Sequence, residues 1–466
     1  MEPAALRSIL SAINRQEVED PAGAETALRG LLSEQPDQPV VLARLARLLH
    51  RLKRIEEAIP LMQGAAQIAP SAAAFNDLGS LYIAVGALQS AIDAYRTAVR
   101  LDPRYALGHI NLADALAETG GIQEAIAEYR TALSVDPASI DGHVGLAVAL
   151  LRAGDAATAV AECRRALSVD SSRVQAWHVM AIALGKSGDR QAAIAAERKA
   201  LALDVGFAKG WHALGNFLDE AGEIDQATSA YQRALDLDCS LVEASYDLAA
   251  LSAAPPPPQM PPNYVIRLFD DFAATFERRL VEELKYCVPE ALRAVVARHW
   301  PMPPPTGLDV LDLGCGTGLV GRQFRDVARC LTGIDLSTGM LAEATRTGIY
   351  DRLVCEDAVQ YLTTAGERVD LILAADLFIY IGDLTELFAA ASAILRAGAL
   401  FAFSIETQQE RYVLRRTRRY AHSLEYIREL ADLNSLPVLE TDRVELRQGD
   451  DGPVAGHVVV LERTPN

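Results

Sequence analysis

Through the first half of the chain, small and apolar residues return every 34 positions. Ala125, Ala159, Ala193 and Ala227 mark one phase of this pattern, and Ala132, Ala166, Ala200 and Ala234 another. The segments AAFNDLGSLYIAVGALQSAIDAYRTAVRLDP, ALGHINLADALAETGGIQEAIAEYRTALSVDP and AKGWHALGNFLDEAGEIDQATSAYQRALDLD match position by position, and copies begin near residues 106, 140, 174 and 208. The period predicts pairs of antiparallel helices. Their backbones approach closely only over small side chains, so the alanines are packing positions and not chemistry. A weaker copy covers roughly 39 to 71, a degenerate one precedes it, and a half copy ends near Ser252; atypical end units of this kind cap a stacked array. One pair cannot bury its apolar face alone, so neighbours stack into a superhelix with an extended concave groove. The pattern turns Asn76, Ile110, Val144, His178 and His212 toward that groove.

In the clearest copy, Phe75, Leu78, Gly79, Tyr82, Ala91, Tyr95, Ala98 and Pro103 follow in order, and with them the array resembles tetratricopeptide repeats. The resemblance implies a peptide or protein partner in the groove, with self-association or docking onto the chain's own second half as the alternative. The groove positions lack the lysine-rich pattern that would clamp a C-terminal carboxylate. His178 and His212 each follow a tryptophan at one shared repeat position, so they read as repeat residues and not as a metal pair.

After Leu251 the repeat dissolves into SAAPPPPQMPPNY, where prolines withhold backbone donors and favour extended geometry. Beyond this linker, VIRLFDDFAATFERRLVEELKYCVPEALRAVVARHW reads as one or two amphipathic helices, and apolar runs then alternate with helical stretches. Strands are expected at 309–313, 330–335, 352–356, 370–376 and 399–406, with two more in VLETDRVEL and GHVVVLERT. Such alternation predicts a mostly parallel α/β sheet, here of seven strands with one antiparallel edge. The chain is thus multidomain: a degenerate helical cap (1–38), an all-α repeat array (39–252), a proline-rich linker (253–263) and an α/β domain (264–466).

The segment VLDLGCGTGLVG sets Gly314, Gly316 and Gly318, with Cys315 among them, between the first strand and a helix. Missing side chains there let a nucleotide-type ligand approach the backbone. Gly316, Gly318 and Gly321 also satisfy the spacing of dinucleotide sites. Asp312 at the strand end argues the other way, being unfavourable beside a pyrophosphate and suited to a ligand that carries an ammonium and a sulfonium. Asp335 ends the second strand, where it can take both ribose hydroxyls or else cap the helix of LSTGMLAEA.

The strand pattern, loop and acids together resemble class I S-adenosylmethionine-dependent methyltransferases, and the whole chain resembles the bacterial tetratricopeptide-repeat methyltransferases. The resemblance implies a Rossmann-like domain with S-adenosylmethionine as cofactor. Asp312 would lie near its methionine end, the glycines beneath it, Leu336 and Met340 beside Asp335 toward the adenine, and Asp357 with Ala358 at the adenine edge, Glu356 being the competitor. The resemblance also sets Ala375, Asp376, Leu377, Phe378, Ile379 and Tyr380 where sulfur and acceptor meet, and makes LFDDFAATF a helical lid with Phe269, Phe272 and Phe276 as covers.

Asp376, Tyr380 and His422 are the candidate catalytic residues, with a hydrogen-bonded structural role as the favoured alternative for His422. His422 lies in the run RRTRRYAHS, whose Arg415, Arg416, Arg418 and Arg419 read as a solvated helix face, with binding of an acidic acceptor as the alternative. Methyl transfer from a sulfonium needs alignment and water exclusion more than a base, so the acceptor stays open between a small molecule and a protein. A repeat scaffold holding cofactor without turnover is the rival to an enzyme, and a dinucleotide oxidoreductase the third possibility.

Composition narrows the picture further. At 466 residues, half of them hydrophobic, the chain exceeds what one core supports. A formal charge of -18 opposes general attraction to nucleic acid or anionic lipid, so neither is expected as a partner. The cysteines (Cys163, Cys239, Cys287, Cys315, Cys330, Cys355) form no C-x-x-C pair and no zinc-ligand spacing; they are expected as reduced, mostly buried thiols, with no metal. Without a cleavable apolar leader or a membrane-length apolar run, a cytoplasmic protein is expected.

Overall fold

The computed structural model describes Ile13 and residues 20–252, 255–270, 273–278, 280–281, 284–301, 305–449 and 452–464. The chain divides into two compact units, Met1–Glu223 and Ile224–Asn466. Phe272 lies outside the described residues, as do parts of the expected N-terminal cap and linker.

In the first unit, the helix Pro21–Glu34 leads into pairs whose first members are Pro39–Arg51, Ala72–Ala84, Ala106–Glu118, Ile140–Arg152 and Val174–Lys186. From Ala72 onward these begin 34 residues apart. A further first helix, Ala208–Glu220, keeps the same spacing. Gly86, Gly120, Gly154, Gly188 and Gly222 make the turn after the first helices from Ala72 onward, with φ between 75 and 86°, a left-handed conformation that favours glycine; after Pro39–Arg51 the positive φ falls on Lys53. Ala125, Ala132, Ala159, Ala166, Ala193 and Ala200 are fully buried. The small-residue rule extends to Gly145, where an added Cβ would come within 2.4 Å of the Tyr129 ring.

A second regularity concerns rings. His109, His143, Trp177 and Trp211 occupy one repeat position, each with a ring nitrogen 2.9 to 3.1 Å from the carbonyl oxygen six residues earlier. His178 instead meets Glu197 through Nδ1 at 3.0 Å. Asn76, expected in the groove, is buried and accepts from the Asn111 side-chain amide at 2.8 Å.

The second unit opens with helices Ile224–Leu237 and Val242–Leu251, followed by Pro262–Asp270, Ala273–Arg278 and Val288–Ala297. The strands are β1 (Leu308–Leu313), β2 (Ala328–Asp335), β3 (Arg352–Cys355), β4 (Val369–Ala374), β5 (Leu395–Glu406), β6 (Tyr412–Leu414), β7 (Tyr420–His422), β8 (Val438–Gly449) and β9 (Gly452–Glu462). Seven of them form one sheet in the order β3-β2-β1-β4-β5-β9-β8. The first five run parallel, and β9 is antiparallel to both β5 and β8. The antiparallel strand therefore lies inside the edge rather than at it, because the β8–β9 hairpin docks through its second strand. Val310, Leu371 and Val460 pack on one face of the sheet, and Leu311, Ile372 and Val459 on the other.

The arginine run is not a helix. β6 and β7 pair as a separate antiparallel ribbon, and Arg415, Arg416, Arg418 and Arg419 form its turn. All three residues of β7 are buried, so apolar burial at its end overrides the helical reading of the basic stretch. The cysteines also depart from expectation: Cys163 and Cys315 are buried, but Cys239, Cys287 and Cys355 are exposed, the last two at the ends of regular elements. Among the described residues, no helix is long and apolar enough to cross a membrane.

Candidate functional site

The carboxyl ends of β1 to β4 open onto a cavity of about 440 Å³, within the range of small-molecule sites and at the end of the sheet where open α/β folds place ligands. Its floor is the glycine loop. Gly314, Gly316 and Gly318 hold φ of 67, 54 and 97°, and the nearest atom that a Cβ on Gly316 would meet is Phe276 Cε1, 3.9 Å away. Of the sequence-predicted cofactor residues, Gly314, Cys315, Gly316, Asp335, Leu336, Met340, Asp357, Ala358 and Ala375 line the cavity, whereas Asp312 and Gly318 do not.

Asp335 shapes the loop as well as the cavity. One carboxylate oxygen accepts from the Gly316 N–H at 2.9 Å and the other from the Ser337 N–H at 2.9 Å. Burial raises its pKa, and these backbone donors oppose the shift. The helix Thr338–Thr347 is capped by Ser337 and not by Asp335. Asp357, by contrast, is a cap: its Oδ1 accepts from Val359 and Gln360 N–H groups. Both of those bonds fall on the same oxygen, which leaves Oδ2 open among the described residues.

Asp312 sits two residues before the loop, 1% exposed. Its Oδ2 accepts from the Tyr350 hydroxyl at 2.6 Å, while Oδ1 is buried without a hydrogen-bond partner among the described residues. Burial pushes its pKa up to about 7, with the Tyr350 hydrogen bond pulling the other way. Thr317 Oγ1, in the loop, is likewise buried and unpartnered among the described residues.

The helix Pro262–Asp270 is pinned at its end. Asp270 Oδ1 accepts from the Ser337 hydroxyl at 2.5 Å and from the Gly339 N–H at 3.1 Å. Phe269 and Phe276 both line the cavity and meet edge to face at 5.8 Å, and Phe269 meets Tyr380 at 5.5 Å. The proline-rich stretch forms another wall: Met260 N donates to Tyr380 O at 2.8 Å, Gly382 and Asp383 N–H groups donate to Pro258 O, and the Tyr420 hydroxyl donates to Pro257 O.

Beyond β4, Asp376 and Tyr380 line the cavity. Asp376 has a φ of 50° and both oxygens engaged, Oδ1 by the Ser404 hydroxyl at 3.1 Å and Oδ2 by Arg447 at 2.5 Å. Burial pushes the Tyr380 phenol up to about 12, with Arg419 opposing, so it is neutral in ordinary buffers. His422 is not brought to the cavity. It is buried against Phe378, Tyr412 and Tyr426, with Nε2 3.1 Å from Gly382 O, and burial lowers its pKa to about 4.

Arg447 and Arg419 complete the lining. Arg447, 2% exposed, bridges Asp376 and Glu406, and Glu406 also receives Arg415 at 2.8 Å. Nothing in the alternation of β8 announces it. A register shift between Glu445 and Arg447 buries Leu446 and Arg447 consecutively, as a β-bulge does when it re-aims a side chain.

Residues 310–398 match a family model described as a methyltransferase domain. Residues 76–140, 110–173 and 208–238 match models described as tetratricopeptide repeats, and 2–107 one described as a tetratricopeptide repeat-like domain. The chain joins tetratricopeptide repeats to a methyltransferase domain. It is 35% identical to the malonyl-[acyl-carrier protein] O-methyltransferase of Pectobacterium atrosepticum over 103 residues, 22% of this chain and 40% of that protein. It is 35% identical to human methyltransferase-like protein 27 over 89 residues, 19% of this chain and 36% of that one. The chain thus spans about two fifths of the length of these curated relatives. A solved tetratricopeptide repeat protein from Parabacteroides merdae shares 15% identity over 52% of this chain and 96% of its own, with a TM-score of 0.43.

Proposed function

We propose that the second unit binds S-adenosylmethionine and methylates an acceptor held in the cavity, and that the repeats engage a protein or peptide. What carries the proposal is one cavity framed by a left-handed glycine loop and by carboxylates after two neighbouring strands, Asp335 after β2 and Asp357 after β3. The donor set fits the cofactor's chemistry. The free lone pairs of Asp335 and Asp357 are acceptors for the cofactor's two ribose hydroxyls and adenine amine, and Asp312, two residues before the loop though not in the cavity wall, has an Oδ1 without a partner among the described residues and adds a carboxylate that suits the cofactor's cationic end. When bound, S-adenosylmethionine supplies the activated methyl group.

The protein's own part is orientation and exclusion of water. Asp335 would hold ribose while keeping Gly316 in place, and Asp357 would take the adenine edge with the oxygen its capping leaves open. Phe269 and Phe276 would cover the pocket. On the acceptor side, Tyr380 offers a neutral hydroxyl. Asp376, with both oxygens committed, acts as a positioning residue. Calorimetric titration of the full chain with S-adenosylmethionine, beside NAD and an Asp335→Ala variant, tests this. Saturable binding lost in the variant is the expected result; preference for NAD, or no binding by well-folded protein, would refute it.

A further inference from the structure

Among the described residues the cavity lining holds two guanidinium groups, Arg447 and Arg419, and only the first is paired. Arg447 is neutralised by Asp376 and Glu406, with Arg415 sharing Glu406. Arg419 is half-buried on the turn side of β7 and lines the cavity. Its side chain makes no hydrogen bond or ion pair among the described residues. Tyr380 lines the same cavity, and the Arg419 charge opposes the rise of its phenol's pKa. Much of the surrounding wall is apolar, including Leu268, Phe269, Leu284 and Ile379.

A cation held partly out of water is unfavourable unless something pairs with it, and a planar guanidinium takes a carboxylate with two parallel hydrogen bonds. We propose that Arg419 is the anion-binding residue of the acceptor site, and that the acceptor is an apolar molecule bearing a carboxylate. The inference rests on the methyltransferase proposal above. It also gives the four arginines separate roles. Arg415 belongs to the buried ion network, Arg418 to the contact with Asp247, Arg416 to solvent, and Arg419 to the ligand. The cofactor itself carries a carboxylate, so the test must tell the two sources apart.

The full chain, saturated with S-adenosylhomocysteine, is titrated with matched carboxylate and amide pairs: benzoate and benzamide, phenylacetate and phenylacetamide, octanoate and octanamide. At least one carboxylate should bind about tenfold or more tighter than its amide, the scale of a charge-assisted hydrogen bond. Arg419→Met should abolish that preference, and Arg419→Lys should restore part of it. S-adenosylhomocysteine affinity should change less than about twofold in either variant, the folded state being verified separately by near-ultraviolet circular dichroism. Loss of S-adenosylhomocysteine binding in Arg419→Met would assign the anion to the cofactor and overturn the proposal. So would the absence of any carboxylate preference in the parent chain. Failure of the parent chain to bind S-adenosylhomocysteine at all would instead refute the underlying methyltransferase proposal.

Discussion

Asp312 is predicted to destabilise the ligand-free protein above neutral pH. Its folded-state pKa is raised by burial from 3.8 to about 7, a shift of roughly three units, and each unit is worth about 1.4 kcal/mol. A raised pKa means that the folded state binds the proton more tightly than the unfolded state. The associated stability is present in full below about pH 4 and is lost as pH rises through about 7, where the loss levels off near 4 kcal/mol. Asp312→Asn removes the titration while keeping an oxygen for the Tyr350 hydroxyl. Between pH 5 and pH 8 the variant should therefore gain on the parent by about 3 kcal/mol. For a unit of this size that corresponds to roughly 6 to 12 °C in the melting temperature. Thermal unfolding without ligand, at both pH values, measures the difference. Ligand binding should reverse the ranking, because a cationic ligand favours ionised Asp312: S-adenosylmethionine affinity should fall about tenfold per pH unit below 7 in the parent and stay flat in the variant. A melting difference that is the same at pH 5 and pH 8 would refute the reasoning.

Arg447→Met strands Asp376 and Glu406 in the interior, and breaking a buried pair from one side should destabilise the second unit by about 3 to 5 kcal/mol; urea unfolding followed by near-ultraviolet circular dichroism reports it. Asp270→Ala removes the two hydrogen bonds that pin the helix Pro262–Asp270 to Ser337 and Gly339. It should speed S-adenosylhomocysteine dissociation several-fold in stopped flow while lowering stability by only about 1 kcal/mol, the scale of a lost helix cap. Gly145→Ala forces a methyl group into the Tyr129 ring and should destabilise the repeat unit by about 1 to 3 kcal/mol without changing S-adenosylmethionine affinity.

The repeat half was legible because its signals are redundant: a fixed period and two phases of alanine both follow from helices that must stack. The strands were legible for a similar reason, since those buried on both faces read as continuous apolar runs. What escaped depends on contacts distant in sequence. The ribbon of β6 and β7 has strands of three residues, too short for any periodicity to declare. Arg447 reaches the cavity only through a bulge, and a strand pattern of period two turns misleading at the residue where one is inserted. The proline stretch was read from what prolines lack, the backbone donor. Their carbonyls remain, and Pro257 and Pro258 accept the Tyr420 hydroxyl and the Gly382 and Asp383 N–H groups. His422 draws two readings in the sequence, a base and a hydrogen-bonded structural residue; burial in an aromatic cluster and its contact with Gly382 O fit the second and keep it neutral and away from the cavity.

The cavity wall draws on parts of the second unit that lie far from the glycine loop in sequence. Asp247, 1% exposed on the last repeat helix, pairs with Arg418 Nε at 2.5 Å, and the neighbouring Tyr246 hydroxyl donates to Arg418 O at 2.7 Å. Tyr246 also packs against Tyr420. These contacts fix the turn from one side, and the residue between Arg418 and Tyr420 is Arg419, which lines the cavity. A buried carboxylate is unfavourable without its cation, so the last helix and the turn hold one another in place. The geometry of the cavity wall at Arg419 is therefore set partly by a helix that the 34-residue period assigns to the repeats. Conversely, that half repeat ends on hydrogen bonds to the separate β6–β7 ribbon.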